Sequence, residues 1–197
     1  MSLRSGTVPA RVVVVDHYDS YTWNLVHLVA SVTGSLPVVV EHDQVSVDDL
    51  HGFTHVVLSP GPGHPDDPAD FAVGRQLLLA PEVPVLGVCL GMQGLVSAYG
   101  GVVAAVDPAH GELSAVTHAG RGLFDGIPSP YDVVRYHSLA AVAVPDCLSV
   151  TARADDGVVM AVAHRTLPLA GVQFHPESVL TRHGARLVEN FLAGRLR

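Results

Sequence analysis

Val83-Pro84-Val85-Leu86-Gly87-Val88-Cys89-Leu90-Gly91-Met92-Gln93-Gly94-Leu95-Val96-Ser97-Ala98-Tyr99 is the stretch on which the fold turns. Val83 to Val88 is an apolar run of strand length with no polar position, as expected of a strand covered on both faces. Gly91 to Ala98 reads as a helix, and a glycine-flanked turn joins the two. The same alternation recurs upstream. Arg11 to Val15 is a valine run ending at Asp16. Asp19 or Ser20 is placed to cap a helix reaching about Val32, with Leu25, Val26, Leu28 and Val29 as its apolar side and Gly34 as its stop. Pro37 to Glu41 and His55 to Leu58 are further strands, and Ala69 to Leu79 a further helix. Strands alternating with helices imply right-handed crossovers, a parallel sheet and helices on both faces.

Downstream the pattern changes. Short runs at Val102 to Val106, Asp132 to Arg135, Leu139 to Val144, Val158 to His164 and Leu169 to Phe174 are separated by Gly and Pro turns. They predict antiparallel or mixed additions to the sheet, with a last helix from about His183 to Ala193. The expected fold class is α/β: an open, twisted, mostly parallel sheet with helices on both faces, flavodoxin-like, extended in its second half. No repeat or linker divides the chain, so residues 1–197 are read as one domain.

Composition narrows the function. The 197 residues are 48% apolar and 15% charged, against about 25% charged in an average soluble protein. Such a chain has ample apolar surface for a core, which excludes disorder. Pro84 to Val106 carries no charge and is long enough to span a bilayer. Gly87, Gly91, Gly94, Gly100 and Gly101 interrupt it, however, together with Cys89, Gln93 and Ser97, so it is read as buried soluble structure with no membrane partner. A net charge of −8 without a basic cluster excludes a nucleic-acid surface. No apolar secretory run separates the two arginines between Met1 and Arg11. Cys89 and Cys147 are therefore expected as reduced thiols in a cytoplasm. Of twelve histidines, only His51 and His55 stand at a ligand-like spacing. Gly52 and the β-branched run behind them argue against a helix there, so neither metal nor cofactor is expected.

Three segments carry chemistry. Gly87-Val88-Cys89-Leu90-Gly91 has the form of a nucleophile elbow, in which small flanking residues let a strained strand-to-helix turn approach its neighbours. A cysteine there stands near a helix N-terminus, which favours the thiolate. The same residues equally suit a buried cysteine packed beside glycines. Gly171-Val172-Gln173-Phe174-His175-Pro176-Glu177 follows a strand-like run. In extended backbone, residues two apart project to one side, so Glu177 is placed to hold one ring nitrogen of His175 while the other exchanges a proton with Cys89. Alone, the segment also reads as an ordinary strand-to-turn boundary. Ser59-Pro60-Gly61-Pro62-Gly63 is either a Gly/Pro turn or a loop whose backbone N–H approaches a substrate and, with the N–H of Leu90, forms an oxyanion hole. Together they compose an acyl-transfer site.

With Asp16-His17-Tyr18-Asp19-Ser20-Tyr21-Thr22-Trp23-Asn24-Leu25, Arg135-Tyr136-His137-Ser138-Leu139, Gly171 through Thr181, His183-Gly184 and Asn190-Phe191, these segments make the chain similar to class I (triad-type) glutamine amidotransferases. In particular it resembles the small subunits, or component II, of aminodeoxychorismate synthase and anthranilate synthase. The resemblance runs from about Arg11 to Leu192. It implies Cys89 as nucleophile, His175 as general base and acid, Glu177 as its orienting partner, and the Gly61 and Leu90 amides as oxyanion donors. Gly63, Gln93, Ser138 and Leu139 match positions that hold L-glutamine. It further implies that ammonia passes to a chorismate-binding synthase subunit, component I, with a lean toward the aminodeoxychorismate branch over the anthranilate branch or one protein serving both. A reading from another class, a non-catalytic docking subunit, predicts erosion of Cys89, His175 or Glu177, and all three are present. Three positions depart from the family pattern: His17 for asparagine, Met92 for histidine, and Glu112 for the lysine of His-Gly-Lys, where the chain reads His110-Gly111-Glu112.

Overall fold

A computed structural model describes residues 10–197; most of the N-terminal stretch read for a secretory signal lies outside them. Strand β1 (Val12–Asp16) shows why the valine run is unbroken. Val12 and Val14 enter a core shared with α1 (Thr22–Thr33) and α4 (Gly184–Leu192). Val13 and Val15 enter a second core on the opposite face, shared with α2 (Ala72–Leu79) and α3 (Leu90–Ala98). A strand covered on both faces has no position where a polar side chain is free.

With β2 (Val38–Glu41), β3 (His55–Leu58), β4 (Val85–Val88), β6 (Glu112–His118), β7 (Tyr131–Arg135), β9 (Leu148–Ala154), β10 (Val159–His164) and β11 (Leu169–Val172), β1 forms a nine-stranded sheet in the order β2-β1-β3-β4-β11-β10-β9-β6-β7. The first five strands of that order are parallel, and the last four continue it antiparallel. The α/β architecture expected from the sequence is therefore present, with helices on both faces.

Several details differ from the sequence reading. The run ending at Phe174 is not a peripheral addition: β11 lies parallel beside β4, with Gly171 opposite Gly87 and Val172 opposite Val88. Small residues explain its place, since a Cβ on Gly171 would stand 2.8 Å from that of Met92 in α3. The runs at Val102 and Leu139 leave the main sheet and pair with each other, as β5 (Val102–Ala105) and β8 (Leu139–Ala143). Strands β6 and β9 were not expected. Helix α1 begins at Thr22 without a side-chain cap. Asp19 Oδ1 instead accepts the Tyr21 N–H at 2.7 Å, while Asp16 Oδ1 accepts the Thr22 hydroxyl at 2.7 Å and the Tyr18 N–H at 2.9 Å. Helix α2 begins three residues later than expected, because Asp67 takes the N–H groups of Ala69, Asp70 and Phe71 into a turn. The uncharged run from Pro84 to Val106 resolves into β4, α3 and β5, and no helix among the described residues is long and apolar enough to cross a membrane.

Candidate active site

Cys89 stands between β4 and α3 with φ 52° and ψ −101°, a conformation that costs a non-glycine residue about 1–3 kcal/mol. Its neighbours enforce it. A Cβ on Gly87 would run into the backbone of Gly91, and one on Gly91 would stand 2.6 Å from the Leu58 carbonyl oxygen. The Cys89 N–H donates to the Val172 carbonyl at 2.8 Å, tying the turn to β11, and the Cys89 carbonyl accepts the Gln93 N–H at 3.0 Å as α3 begins. Both cysteines are free thiols, and Cys89 is buried.

Beyond β11 the chain carries His175 and Glu177 to the same end of the sheet. His175 Nδ1 and Glu177 Oε1 are 2.6 Å apart, with side chains 3% and 0% exposed. The His175 N–H reaches the Val134 carbonyl at 3.2 Å. Tyr21 and Tyr136 close over the imidazole, with ring centroids 5.5 and 5.2 Å away. Among the described residues, His175 Nε2 makes no aligned hydrogen bond. Burial opposes charge on the ring, but Cys89 and Glu177 outweigh it and hold its pKa above the ordinary histidine range. A buried carboxylate and an adjacent sulfur that both favour the imidazolium produce this sign.

The glycine loop lies against the elbow. A Cβ on Gly61 would stand 2.6 Å from both Leu90 Cδ2 and His17 Cβ. Among the described residues, the N–H groups of Gly61 and Leu90 are engaged by no protein acceptor. Gly63 adopts φ 86° and leaves no room for a side chain beside the Asp70 carboxylate, which accepts the His64 N–H at 2.9 Å. Ser138 is exposed, and its carbonyl accepts the Val106 N–H at 2.9 Å. Leu139 is linked directly to α3: its carbonyl accepts Gln93 Nε2 at 2.9 Å and His137 Nδ1 at 3.0 Å. Gln93 Nε2 also reaches Gln173 Oε1 at 3.2 Å. Both of its N–H groups are thus committed within the protein, and its Oε1 is what it offers a ligand.

The structure therefore gathers Cys89, Leu90, Gln93, Leu139, His175 and Glu177, with Gly61 against Leu90, at one end of the parallel strands, where α/β sheets place their sites. Sequence reasoning passed over Gln173, whose Nε2 lies 3.5 Å from Cys89 Sγ. It stands two residues before His175, so the rule that paired His175 with Glu177 pointed to it as well. Tyr21, Tyr136 and the buried Arg135–His137 contact, 3.2 Å from Nε to Nε2, have no comparable local signal. The three departures also separate. His17 is buried and stacked between His42 and Phe71, each centroid 5.0 Å away. Met92 is buried beneath β11. Glu112 alone is exposed, at the start of β6.

Comparison with known proteins adds the family. Residues 13–194 match a family model described as Glutamine amidotransferase class-I. The chain is 51% identical over 184 residues to an aminodeoxychorismate synthase of Streptomyces griseus, covering 92% of this chain and 25% of that one. It is 46% identical over 190 residues to an anthranilate synthase component 2 of Halobacterium salinarum, covering 92% and 96%. The chain thus spans about a quarter of the length of the first relative and nearly all of the second. A solved structure described as a GMP synthase subunit from Thermoplasma acidophilum superposes with a TM-score of 0.87 at 23% identity, over 95% of this chain and 94% of the other, and shares the fold. The chain belongs to the class-I glutamine amidotransferase family.

Proposed function

We propose that the chain is a glutaminase subunit that releases ammonia from L-glutamine through Cys89, His175 and Glu177 and delivers it to a chorismate-binding synthase subunit, giving aminodeoxychorismate. The observation that carries this reading is the strained Cys89 elbow beside an imidazole paired with a fully buried carboxylate. In this scheme the Cys89 thiolate attacks the side-chain amide carbon of glutamine. The Gly61 and Leu90 N–H groups receive the developing oxyanion. His175, charged through Glu177, gives its proton to the departing ammonia, leaving a γ-glutamyl thioester on Cys89. Water then attacks that thioester with His175 as base, glutamate leaves, and the thiolate is restored.

The synthase partner is supported by the rim of the site. Trp23, Val179 and Leu180 are exposed on the segments that follow Tyr21 and Glu177, and an apolar rim of this kind suits a protein contact. Glu112 adds a negative charge on exposed surface. The aminodeoxychorismate branch is supported by the 51% identity to the Streptomyces griseus protein. The anthranilate branch is the second reading, supported by the 46% identity to the Halobacterium salinarum component 2. The test is reconstitution with each of the two candidate synthase partners, followed by identification of the aromatic product made from chorismate and glutamine. Cys89→Ala is expected to abolish glutamine-dependent product while ammonia-dependent product persists. Glutamine use by that variant overturns the assignment.

A further inference from the structure

The hydrogen bonds behind Cys89 have a direction set by one backbone oxygen. The Leu139 carbonyl is only an acceptor, so the Gln93 atom 2.9 Å from it is the amide nitrogen. The second N–H of that nitrogen points at Gln173, 3.2 Å away, which therefore presents its oxygen. With the oxygen so placed, the Gln173 nitrogen is the atom facing Cys89 Sγ at 3.5 Å. His137 agrees with this order: its Nδ1 donates to the same Leu139 carbonyl, leaving Nε2 to accept from Arg135 Nε at 3.2 Å. Gln93 and Gln173 are 3% and 0% exposed, so neither amide exchanges these partners for water. Reversing either amide would set oxygen against oxygen or nitrogen against nitrogen in a buried place, which costs about 1–3 kcal/mol for each unsatisfied group.

We infer that Gln173 is a positioning residue for the nucleophile: its carboxamide N–H holds the Cys89 sulfur and favours the thiolate, and Gln93 locks that carboxamide in the donating orientation. The inference rests on the reading of Cys89 as nucleophile and goes beyond it by placing a second donor at the sulfur, on the strand end that also carries His175. A hydrogen bond to an ionised acceptor is stronger than one to its neutral form, and sulfur becomes a good acceptor only as the thiolate. An amide N–H fixed against it therefore favours ionisation without itself gaining or losing a proton. It also fixes where the lone pair points before glutamine arrives, which is preorganisation of the attacking atom.

The test is alkylation of Cys89 by iodoacetamide in the full chain as a function of pH, read by peptide mass spectrometry so that Cys147 is counted apart. The titratable groups around the sulfur are His175, with Glu177 behind it, and Tyr21, Tyr136 and His137 around that imidazole; all are the same in every variant. The midpoint accordingly belongs to the Cys89–His175 pair, and it is the change between variants that is read. Gln173→Met keeps the side-chain volume and removes the donor. Its midpoint is expected to rise by about half a pH unit or more, and that of Gln173→Glu, which sets a carboxylate against the sulfur, to rise further. The Cys147 midpoint is expected to stay fixed. A folded Gln173→Met protein with an unmoved Cys89 midpoint overturns the inference. Should that variant not fold, Gln93→Met probes the same pair of amides one step back; its midpoint is to rise, and an unmoved one overturns the inference equally. Alkylation reads the surroundings of the sulfur whatever reaction the sulfur performs. Failure here and failure of the nucleophile reading, which Cys89→Ala tests through glutamine use, are thus separate results.

Discussion

Glu177 is the residue whose surroundings demand most explanation. A carboxylate with no exposed side-chain surface is tolerated only when something repays its desolvation, and among the described residues the group within hydrogen-bond distance is the Nδ1 of His175. The pair explains itself in both directions. The imidazole gains a charge partner that raises its pKa against burial, and the carboxylate gains a donor. Glu177→Gln keeps the shape and removes the charge, so it isolates the electrostatic part. The glutamine-dependent kcat is expected to fall by about 10²-fold or more, with the His175 titration moving down toward its ordinary range. Steady-state kinetics across pH, with imidazole proton signals followed by NMR, would check both. A Glu177→Gln enzyme with unchanged turnover and an unchanged His175 titration would remove Glu177 from the site. Gln173, by contrast, carries no charge and titrates nothing, which is why no composition or charge pattern drew attention to it.

At the scale of elements, the site exists because β4, α3 and β11 approach more closely than ordinary side chains allow. Gly87 and Gly91 face each other across the elbow, and Gly171 faces Met92. None of the three needs a positive φ, so their requirement for glycine is one of space. Gly87→Ala is therefore expected to destabilise the protein through overpacking, by about 1–3 kcal/mol or more, and to slow Cys89 alkylation by displacing the elbow. Urea denaturation with alkylation of the folded variant would measure the two together; a stable variant with a normal elbow would show that the close approach is dispensable. This packing also explains which elements the sequence disclosed. Buried parallel strands such as Val12–Asp16 and Val85–Val88 are unbroken apolar runs because helices cover both faces. Strand β9, Leu148–Ala154, is only partly buried along its length and meets β10 through register shifts near Ala161, so its periodicity is interrupted where a reading from sequence needs it. Strand β6 divides its pairing between β7 and β9 and begins with exposed Glu112 and Leu113. The candidate constellation of Cys89, His175 and Glu177 was legible because each follows a strand within a short motif. The Gln93–Gln173 contact was not, since it joins residues 80 positions apart and only the parallel pairing of β4 with β11 brings them together.

Across the whole molecule, buried histidines whose pKa is lowered and the one whose pKa is raised act on stability with opposite signs. His17 is pushed down to about 3 by burial and by His42, and His137 to about 4 by burial and by Arg135. Both are neutral in the folded protein near neutral pH, whereas in the unfolded chain they take up protons near 6.5. The unfolded state therefore binds more protons between about pH 6.5 and pH 4, and stability falls as pH drops through that window. His175 has the opposite sign. Its folded pKa is raised, so its contribution is complete below about 6.5, where both states are protonated, and is lost only as pH rises through the folded value. It cannot offset the acid loss. The carboxylates whose pKa is lowered, Asp43, Asp49 and Asp156, act below that window, as pH falls past the ordinary carboxylate range. His55, His118 and His164 are also lowered by burial and add to the loss with the same sign. Urea unfolding at a series of pH values from about 7 to about 4.5 is thus expected to show stability decreasing, with His17 and His137 each contributing a limiting slope of about 1.4 kcal/mol per pH unit. His17→Asn leaves a side chain that does not titrate and should remove one proton from that slope while leaving the loss due to His137 in place. A flat profile, or a His17→Asn protein with the same slope as the parent, would show that the stacked His42–His17–Phe71 layer does not hold its central ring neutral. The expected loss of one proton from the slope would make the departure at position 17 a determinant of acid tolerance, set inside the fold and away from the exposed surface where Glu112 stands.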